Sequence, residues 1–194
     1  MSERKTLTPE YFDEVYAAND DPWNFISSEY EAEKYAVTLK SLSRENYKNA
    51  FEVGCSIGVL TEKLAARCEK ILAVDVSEKA LEQAKKRCAK LPNIRFETMQ
   101  IPDEFPDEIF DLILISEVGY YLAPADWQTA MEKTFAQLSE NGQIALVHWT
   151  PIVHDYPQTG DAVHDSFAKF AKNKMRNLKS VQAEKYRLDI WEKI

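Results

Sequence analysis

A bend between two short apolar runs constrains this chain more than any other feature of its sequence. Residues 51–58 read FEVGCSIG and residues 71–75 read ILAVD, so a carboxylate ends the second run 17 positions after the last glycine of the bend. This layout is typical of two parallel strands joined by a helix. In such sheets the ligand crevice lies beyond the carboxyl ends of the strands. We therefore predict a nucleotide or nucleoside site, with Asp75 at a ribose.

The spacing of the bend distinguishes between ligands. A dinucleotide fingerprint reads G-x-G-x-x-G, whereas here Ser56 takes the second glycine position and Gly58 comes one residue too early. From Glu52 the order is acid-x-Gly-x-Ser-x-Gly, which resembles the first motif of the S-adenosylmethionine-dependent methyltransferases of Rossmann-like fold. The same letters spell G-x-S-x-G, the nucleophile elbow of α/β-hydrolases. A hydrolase with Ser56 as nucleophile is therefore the alternative, although the 55 preceding residues indicate two helices rather than several strands.

Composition narrows the range of partners. The 194 residues carry a formal net charge of −8, which argues against nucleic acid as a partner because phosphate binding needs clustered Lys and Arg. We find no apolar leader and no long apolar run, so we expect a cytoplasmic protein that does not bind a membrane. Its three cysteines lack C-x-x-C spacing, which is typical of buried thiols in a reducing compartment. The three histidines lack H-E-x-x-H spacing, so we expect no metal site.

Hydrophobic periodicity predicts alternating strands and helices after two N-terminal helices. Thr8 with Pro9 and the capping box at Ser28 mark the starts of the first two helices. We predict strands at 51–53, 71–74, 94–98, 110–115, 143–148 and 186–191. We predict further helices from Ile57, after a cap at Ser77, from Pro124, and over 163–171. The Asn141-Gly142 pair predicts a turn into the fifth strand, and the end of the chain a hairpin.

Motifs over nearly the whole chain resemble the NodS-type methyltransferases. They are Asp21-Pro22-Trp23, Tyr30-Glu31 with Lys34-Tyr35, the bend at 52–58, residues 116–122 (SEVGYYL), His148-Trp149, and residues 155–161 (DYPQTGD). The resemblance implies an α/β Rossmann-like fold: a mostly parallel seven-stranded sheet with helices on both faces and two N-terminal helices. We expect a single domain over 1–194, with a helical cap over 1–48 and a core over 49–194. It also implies S-adenosylmethionine as cofactor.

The resemblance implies a set of cofactor-binding residues. Backbone at Gly54, Cys55, Ser56 and Gly58 would lie against the methionine part, and Asp75 would bind the ribose. Val76 and Ile101 would sandwich the adenine, or belong to the core, and Gln100 stands where many relatives carry an acid. Ser116 would point into the crevice. Trp23 would be a lid, unless it only pins its loop, and Lys34 or Tyr30 would meet the cofactor carboxylate, unless Lys34 lies on a solvated helix face.

The acceptor side follows from the same resemblance. It implies methylation of a small-molecule or sugar amine, with Tyr120, Tyr121, Trp149 and Tyr156 bordering the acceptor or packing in the core. His148, expected at a strand end facing the crevice, is the first candidate for a general base and Glu117 the second; a core histidine is the other interpretation of His148. A cofactor-binding protein without turnover is a third functional alternative.

Overall fold

The computed structural model describes residues 4–194 and has a seven-stranded sheet in the order β3-β2-β1-β4-β5-β7-β6. The strands are β1 (Ala50–Val53), β2 (Ile71–Asp75), β3 (Ile94–Thr98), β4 (Phe110–Ser116), β5 (Leu138–Trp149), β6 (Met175–Gln182) and β7 (Tyr186–Lys193). The helices are α1 (Pro9–Ala18), α2 (Glu29–Ser41), α3 (Val59–Leu64), α4 (Glu78–Arg87), α5 (Pro124–Ala136) and α6 (Gly160–Ala171). All neighbours pair in parallel except β7, which is antiparallel to both β5 and β6. The predicted fold class is confirmed.

The strand order reverses direction at β1, and this places the crevice. β1 pairs with β2 on one side and with β4 on the other, where Val53 lies opposite Val74 and Ile115. Loops that follow β1 and β4 therefore diverge to opposite faces of the sheet and leave a gap beyond the strand ends. All four residues of β1 are buried, as expected of a central strand covered on both faces.

Helices cover both faces of the sheet. On one face Phe51 and Val53 pack with the aromatic residues Trp127 of α5 and Phe167 of α6. On the other face lie residues of α2, α3 and α4, among them Tyr35, Leu60, Leu64 and Leu81. Alternation along β1 and β2 sends successive side chains into these two cores, which is why both strands are continuous apolar runs.

Several predicted elements differ from the structure in their boundaries or their extent. The third helix begins at Val59, not Ile57, because Gly58 precedes it in a left-handed conformation with φ of 79°. The turn predicted at Asn141-Gly142 is instead an irregularity inside β5, where Asn141 has φ of 59° and the pairing with β4 shifts register. Strand β6, the edge partner of β7, is largely exposed and was predicted only as half of a hairpin.

The two N-terminal helices, α1 and α2, cover the crevice. The Ser28 side chain accepts the Glu31 N–H at 3.2 Å, which confirms the predicted cap of α2, whereas the Thr8 side chain makes no such bond. The connecting loop is fixed by Asp21, which accepts backbone N–H groups from Phe25 at 2.8 Å and Ile26 at 2.9 Å. No helix within residues 4–194 has the length and apolarity to cross a bilayer.

Candidate active site

A cavity of about 480 Å³ lies beyond the carboxyl ends of β1, β2 and β4 and beneath α1 and α2. Its volume is in the range of small-molecule sites. Most residues predicted to bind cofactor line it: Trp23, Lys34, Gly54, Cys55, Ser56, Asp75, Val76, Gln100, Ile101 and Ser116. The acceptor candidates Tyr120, Tyr121, Trp149 and Tyr156 line it too, as does Glu117. Gly58 and His148 are the two predicted site residues absent from its wall.

The bend after β1 requires glycine at position 54. Gly54 has φ of 75°, and a Cβ there would lie 2.2 Å from Val118 Cγ2. The N–H groups of Gly54 and Cys55 both donate to the Val74 carbonyl at 2.9 Å, which closes the bend tightly. Ser56 also adopts positive φ, of 51°. The bend thus presents backbone, rather than bulky side chains, to the cavity.

Gly58 is absent from the cavity wall and packs against α4, whereas its predicted contact with the cofactor stays a prediction. A Cβ at Gly58 would lie 3.0 Å from both Cα and Cβ of Ala84 in α4. Its left-handed φ also allows α3 to begin directly after it. The glycine therefore allows close approach of two helices.

Asp75 links the bend to the next helix. Its Oδ2 accepts the Ser56 N–H at 2.8 Å and its Oδ1 accepts the Ser77 N–H at 3.0 Å. Burial raises the pKa of the Asp75 carboxyl, and these backbone bonds oppose the shift. The prediction that Ser77 caps α4 through its side chain is wrong, because the Ser77 hydroxyl donates to Asp13 of α1 at 2.8 Å. Each Asp75 oxygen keeps a second lone-pair site for a hydroxyl.

Lys34 reaches the cavity already paired with two carboxylates. Its Nζ lies 2.9 Å from Glu31 Oε1 and 2.6 Å from Glu117 Oε1. It is only 2 % exposed, so it does not lie on a solvated helix face. Burial acts to lower the Lys34 pKa, but the two carboxylates outweigh it and the pKa is raised. Lys34 is therefore a fixed ammonium with one N–H left.

Glu117 is anchored at the end of β4. Besides Lys34, its carboxylate accepts the Trp149 N–H at 2.9 Å and the Tyr120 hydroxyl. Its backbone has φ of 60°, a strained value for a residue other than glycine. Such strain is typical of functional sites, where surrounding bonds hold a side chain in place.

The prediction that His148 faces the crevice is wrong. His148 is 0 % exposed, and its Nε2 accepts the Gly119 N–H at 3.0 Å. Its Nδ1 lies 3.1 Å from Nε2 of His164, whose Nδ1 lies 2.6 Å from Asp189 Oδ2. Burial lowers the His148 pKa well below its usual value. Both ring nitrogens are occupied inside the core, so His148 has no lone pair to offer an acceptor.

The hydrolase alternative is not supported. The Ser56 hydroxyl pairs with the Tyr16 hydroxyl of α1. Within the described part of the chain, no histidine hydrogen-bonds to Ser56, since His148 and His164 bond to other groups. A nucleophilic serine needs a base at hydrogen-bond distance. Residues 4–194 also bring together no cluster of histidine, cysteine or carboxylate side chains that could hold a metal ion.

Aromatic side chains form the outer wall. Tyr120 stacks on Tyr156 with ring centroids 5.0 Å apart, and Tyr121 meets Tyr156 edge-on at 4.8 Å. Trp149 meets Tyr30 edge-on at 5.7 Å. Trp23 packs edge-on against Tyr16 at 5.6 Å, so its loop is pinned to α1 while its side chain lines the cavity.

Three lining residues with unpaired polar atoms were not singled out as a group by the sequence. Tyr30 OH, Glu31 Oε2 and Glu52 Oε2 are buried and have no hydrogen-bond partner within residues 4–194. Burial raises the pKa of Glu52 to about 7. A hydrogen bond with Thr61 opposes that shift, so Thr61 accounts for Glu52. Buried polar atoms ordinarily have partners, which leaves Tyr30 and Glu31 as the lining residues with polar atoms available to a ligand. The backbone cradle at Gly54 and the carboxylate of Asp75 likewise fit the amino-acid tail and ribose of S-adenosylmethionine.

The order of the strands, the single antiparallel strand and the crevice define the Rossmann-like methyltransferase fold. A solved structure of N-methyltransferase NodS from Bradyrhizobium japonicum WM9, in complex with S-adenosyl-L-homocysteine, shares it with a TM-score of 0.82. The likeness covers 96 % of this chain and 99 % of that one, at 24 % identity. At that identity the likeness establishes the fold.

The chain belongs to the Nodulation protein S (NodS) family, whose model matches residues 12–148. It is 41 % identical over 106 residues to Nodulation protein S of Bradyrhizobium diazoefficiens, covering 54 % of this chain and 51 % of that protein. It is 33 % identical over 131 residues to Nodulation protein S of Rhizobium tropici, covering 66 % and 55 %. The match thus spans a little more than half the length of these relatives. The predicted family is confirmed.

Proposed function

We propose that this chain transfers a methyl group from S-adenosylmethionine to the amine nitrogen of a small molecule or oligosaccharide. Membership of the NodS family supports this function, and the structural neighbour is described as an N-methyltransferase. The observation that carries the proposal is that the Gly54 bend, the Asp75 carboxylate and the unpaired polar atoms border one cavity.

In this proposal the cofactor lies along the ends of β1 and β2. Backbone from Gly54 to Ser56 borders its amino-acid tail, and Asp75 accepts the ribose hydroxyls. Val76 and Ile101 cover the adenine, with the Gln100 amide oxygen as acceptor for its amino group. Trp23 closes this part of the cavity from the loop between α1 and α2. When bound, S-adenosylmethionine supplies a methyl group that its sulfonium makes electrophilic.

The remaining residues position the acceptor. The wall of Tyr120, Tyr121, Tyr156 and Trp149 offers apolar faces that exclude water and can stack on a sugar ring. Alignment of the acceptor in a dry cavity can supply roughly 7–11 kcal/mol of the barrier reduction. Deprotonation is the smaller contribution, about 10²–10⁴-fold where a general base takes part.

Glu117 is the base that we propose. Of the two predicted bases it alone lines the cavity. Its Oε2 accepts two hydrogen bonds and its Oε1 accepts one, from Lys34. A carboxylate has about four lone-pair sites, so one site on Oε1 is left for a proton.

We also propose a division of labour along the chain. Residues 1–48, of which 1–3 lie outside the described residues, act as a cap over the cavity, and residues 49–194 form the core that holds the cofactor. The reducing cytoplasm is the proposed compartment, since Cys55, Cys68 and Cys88 are free, buried thiols.

The test combines cofactor binding with methyl incorporation. Calorimetry with S-adenosylhomocysteine compares the wild type with Asp75→Ala and with Asp107→Ala, an exposed loop control. We expect Asp75→Ala alone to weaken binding, at least tenfold for loss of hydrogen bonds to a charged group. Labelled cofactor is then offered with partly deacetylated chitooligosaccharides, small amines, and their N-acetylated counterparts.

Label in the free amines and none in the acetylated compounds supports the proposal. Failure of S-adenosylhomocysteine to bind the wild type would remove the cofactor assignment. Tight binding without label in any acceptor would favour a protein that binds the cofactor and does not turn over.

A further inference from the structure

Two buried charges and one partly buried charge meet where α2 crosses the end of β4, and they do not cancel. Lys34 bridges Glu31 and Glu117, at 2.9 and 2.6 Å. Lys34 is 2 % exposed and Glu31 7 % exposed. One ammonium thus faces two carboxylates with little access to water. With both carboxylates ionised, the cluster carries one net negative charge on the cavity wall, and buried charge is costly unless it is paired.

Two unpaired oxygens lie on the same helix turn as this cluster. Glu31 Oε2 and Tyr30 OH are buried and accept no hydrogen bond from residues 4–194. Both residues line the cavity. Burial raises the pKa of the Glu31 carboxyl, and Lys34 and a hydrogen bond with Tyr35 oppose that shift, while Oε2 itself has no hydrogen-bond partner within residues 4–194. Two acceptors beside an excess negative charge match a ligand that donates N–H groups and carries positive charge.

We propose that Glu31 and Tyr30 form a subsite for a protonated amine, with Lys34 holding Glu31 and Glu117 in place as a positioning residue. The inference deepens the proposed function and rests on it. An ammonium donates up to three hydrogen bonds, enough for Glu31 Oε2 and the Tyr30 oxygen. Its charge balances the cluster, which a hydroxyl or a carboxylate would not do.

The subsite also gives Lys34 a different role from the one expected of it. A lysine that binds the cofactor carboxylate would need a positive charge that no protein carboxylate already balances. The ammonium of Lys34 is already shared by the carboxylates of Glu31 and Glu117. Here the amine, rather than the carboxylate, is the group that α2 recognises. Two amines can reach this cavity: the α-ammonium of the cofactor and the ammonium of the acceptor.

The test variant is Glu31→Gln, which removes the charge and keeps an oxygen that can accept from Lys34. The matched control is Glu33→Gln, an exposed glutamate of the same helix. In the first arm, calorimetry measures S-adenosylhomocysteine and its deaminated analogue. In the second arm, the protein saturated with S-adenosylhomocysteine is titrated with glucosamine and with glucose.

We expect the wild type to prefer the amine over its neutral counterpart in one arm. Glu31→Gln should reduce that preference about tenfold, the usual size for a charge-assisted hydrogen bond, while Glu33→Gln leaves it unchanged. The arm that responds identifies the source of the amine. Tyr30→Phe, which removes one oxygen only, should reduce the same preference by a smaller factor.

An equal preference in the wild type and Glu31→Gln, or no preference for the amine in either arm, would overturn the subsite. Circular dichroism and thermal unfolding check that the variants fold. The proposed function fails separately, because it fails when S-adenosylhomocysteine does not bind at all. The subsite fails when S-adenosylhomocysteine binds as tightly to Glu31→Gln as to wild type and no amine is distinguished.

Discussion

Left-handed backbone is concentrated at the two loops that border the cavity. Gly54, Ser56 and Glu117 have φ of 75°, 51° and 60°. Residues other than glycine adopt such values at a cost of about 1–2 kcal/mol each. Ser56 is held in place by Tyr16 and Asp75, and Glu117 is held in place by Lys34. At the scale of single residues, the site is built from backbone that its surroundings force into position.

Gly54→Ala tests whether glycine is required there by the left-handed φ alone or also by packing. The new Cβ would meet Val118 Cγ2 at 2.2 Å, so we expect a loss of about 2–5 kcal/mol in the free energy of unfolding. Val118→Ala in the same protein should restore the packing part. A double-mutant cycle in urea should give a coupling of about 1–3 kcal/mol. If the effects of Gly54→Ala and Val118→Ala are simply additive, the whole loss in the free energy of unfolding comes from the left-handed φ at position 54.

The sequence indicated which residues border the cavity better than it indicated what they bond to. The bend and Asp75 were found because their spacing reflects a local strand-helix-strand unit. The wrong placement of His148 has a physical cause: its partner His164 lies on α6, and His164 is in turn bonded to Asp189 of β7. Ser77 was misread for the same reason, since Asp13 reaches it from α1. Contacts across distant elements leave no local pattern.

At the scale of elements, a buried chain of hydrogen bonds ties β5, α6 and β7 to the loop after β4. Because His148 Nε2 accepts from Gly119, its proton must be on Nδ1 and point to His164 Nε2. His164 then carries its proton on Nδ1 and donates it to Asp189. The network is complete only with both imidazoles neutral. Gly119 lies two residues after the anchored Glu117, so this hydrogen-bond network positions one edge of the cavity.

His148→Gln should remove part of the acid sensitivity of the fold. The His148 pKa is lowered in the folded state, so below about 6.5 the unfolded chain binds a proton that the folded protein does not. Stability from this group is therefore fully present above pH 6.5 and is lost as the pH falls, by up to about 1.4 kcal/mol per pH unit. The difference in the free energy of unfolding between wild type and His148→Gln should therefore decrease as the pH falls from about 8 to about 5.

The exposed His154→Gln is the control for that series. Its stability should follow that of the wild type at every pH in urea titrations. A gap between wild type and His148→Gln that stays constant with pH would mean that His148 is not held neutral by its burial.

Hydrophobic periodicity predicts strands and helices that have one or two buried faces. It does not predict exposed elements, because their sequence has no regular apolar pattern. The parallel strands are apolar runs because both faces are covered, and helices such as α4 have one apolar face. Edge strand β6 exposes most of its residues, so its sequence has no alternation to find. The predicted start of β5 is too late because Asn141-Gly142 is typical of a turn, whereas here it lies at an irregularity inside the strand.

At the scale of the whole molecule, residues 4–28 form a roof over the cavity, and this roof is attached by fewer hydrogen bonds than join the strands of the sheet. The segment before α1 joins the core through the Leu7 N–H to the Tyr121 carbonyl at 2.9 Å, through Arg4 to the Tyr156 carbonyl, and through the Thr6 hydroxyl, which bonds to Asp126 and to the Ala123 N–H. The α1 helix joins the core through Tyr16 and Asp13, and the loop after it joins through the Asp20 carbonyl to Gln83. β5 and β7, in contrast, pair along seven positions. Segments held by few contacts open locally at a lower free-energy cost than the core. We therefore expect residues 4–28 to open more readily than the sheet and so to give access to the cavity.

Hydrogen exchange of the whole protein should distinguish this roof from the core. Without ligand, amides of α1 and the loop at 19–28 should exchange at least about tenfold faster than those of β1, because their opening costs less than global unfolding. S-adenosylhomocysteine should slow exchange in the roof and leave β6 unchanged, since β6 lies at the far edge of the sheet. Trp23→Ala should weaken that protection, because Trp23 packs on Tyr16 and lines the cavity. Ile26→Ala, at an exposed position of the same loop, is the control and should preserve it. Equal protection of roof and β6 would mean that the ligand stabilises the fold as one unit and that residues 4–28 do not open on their own.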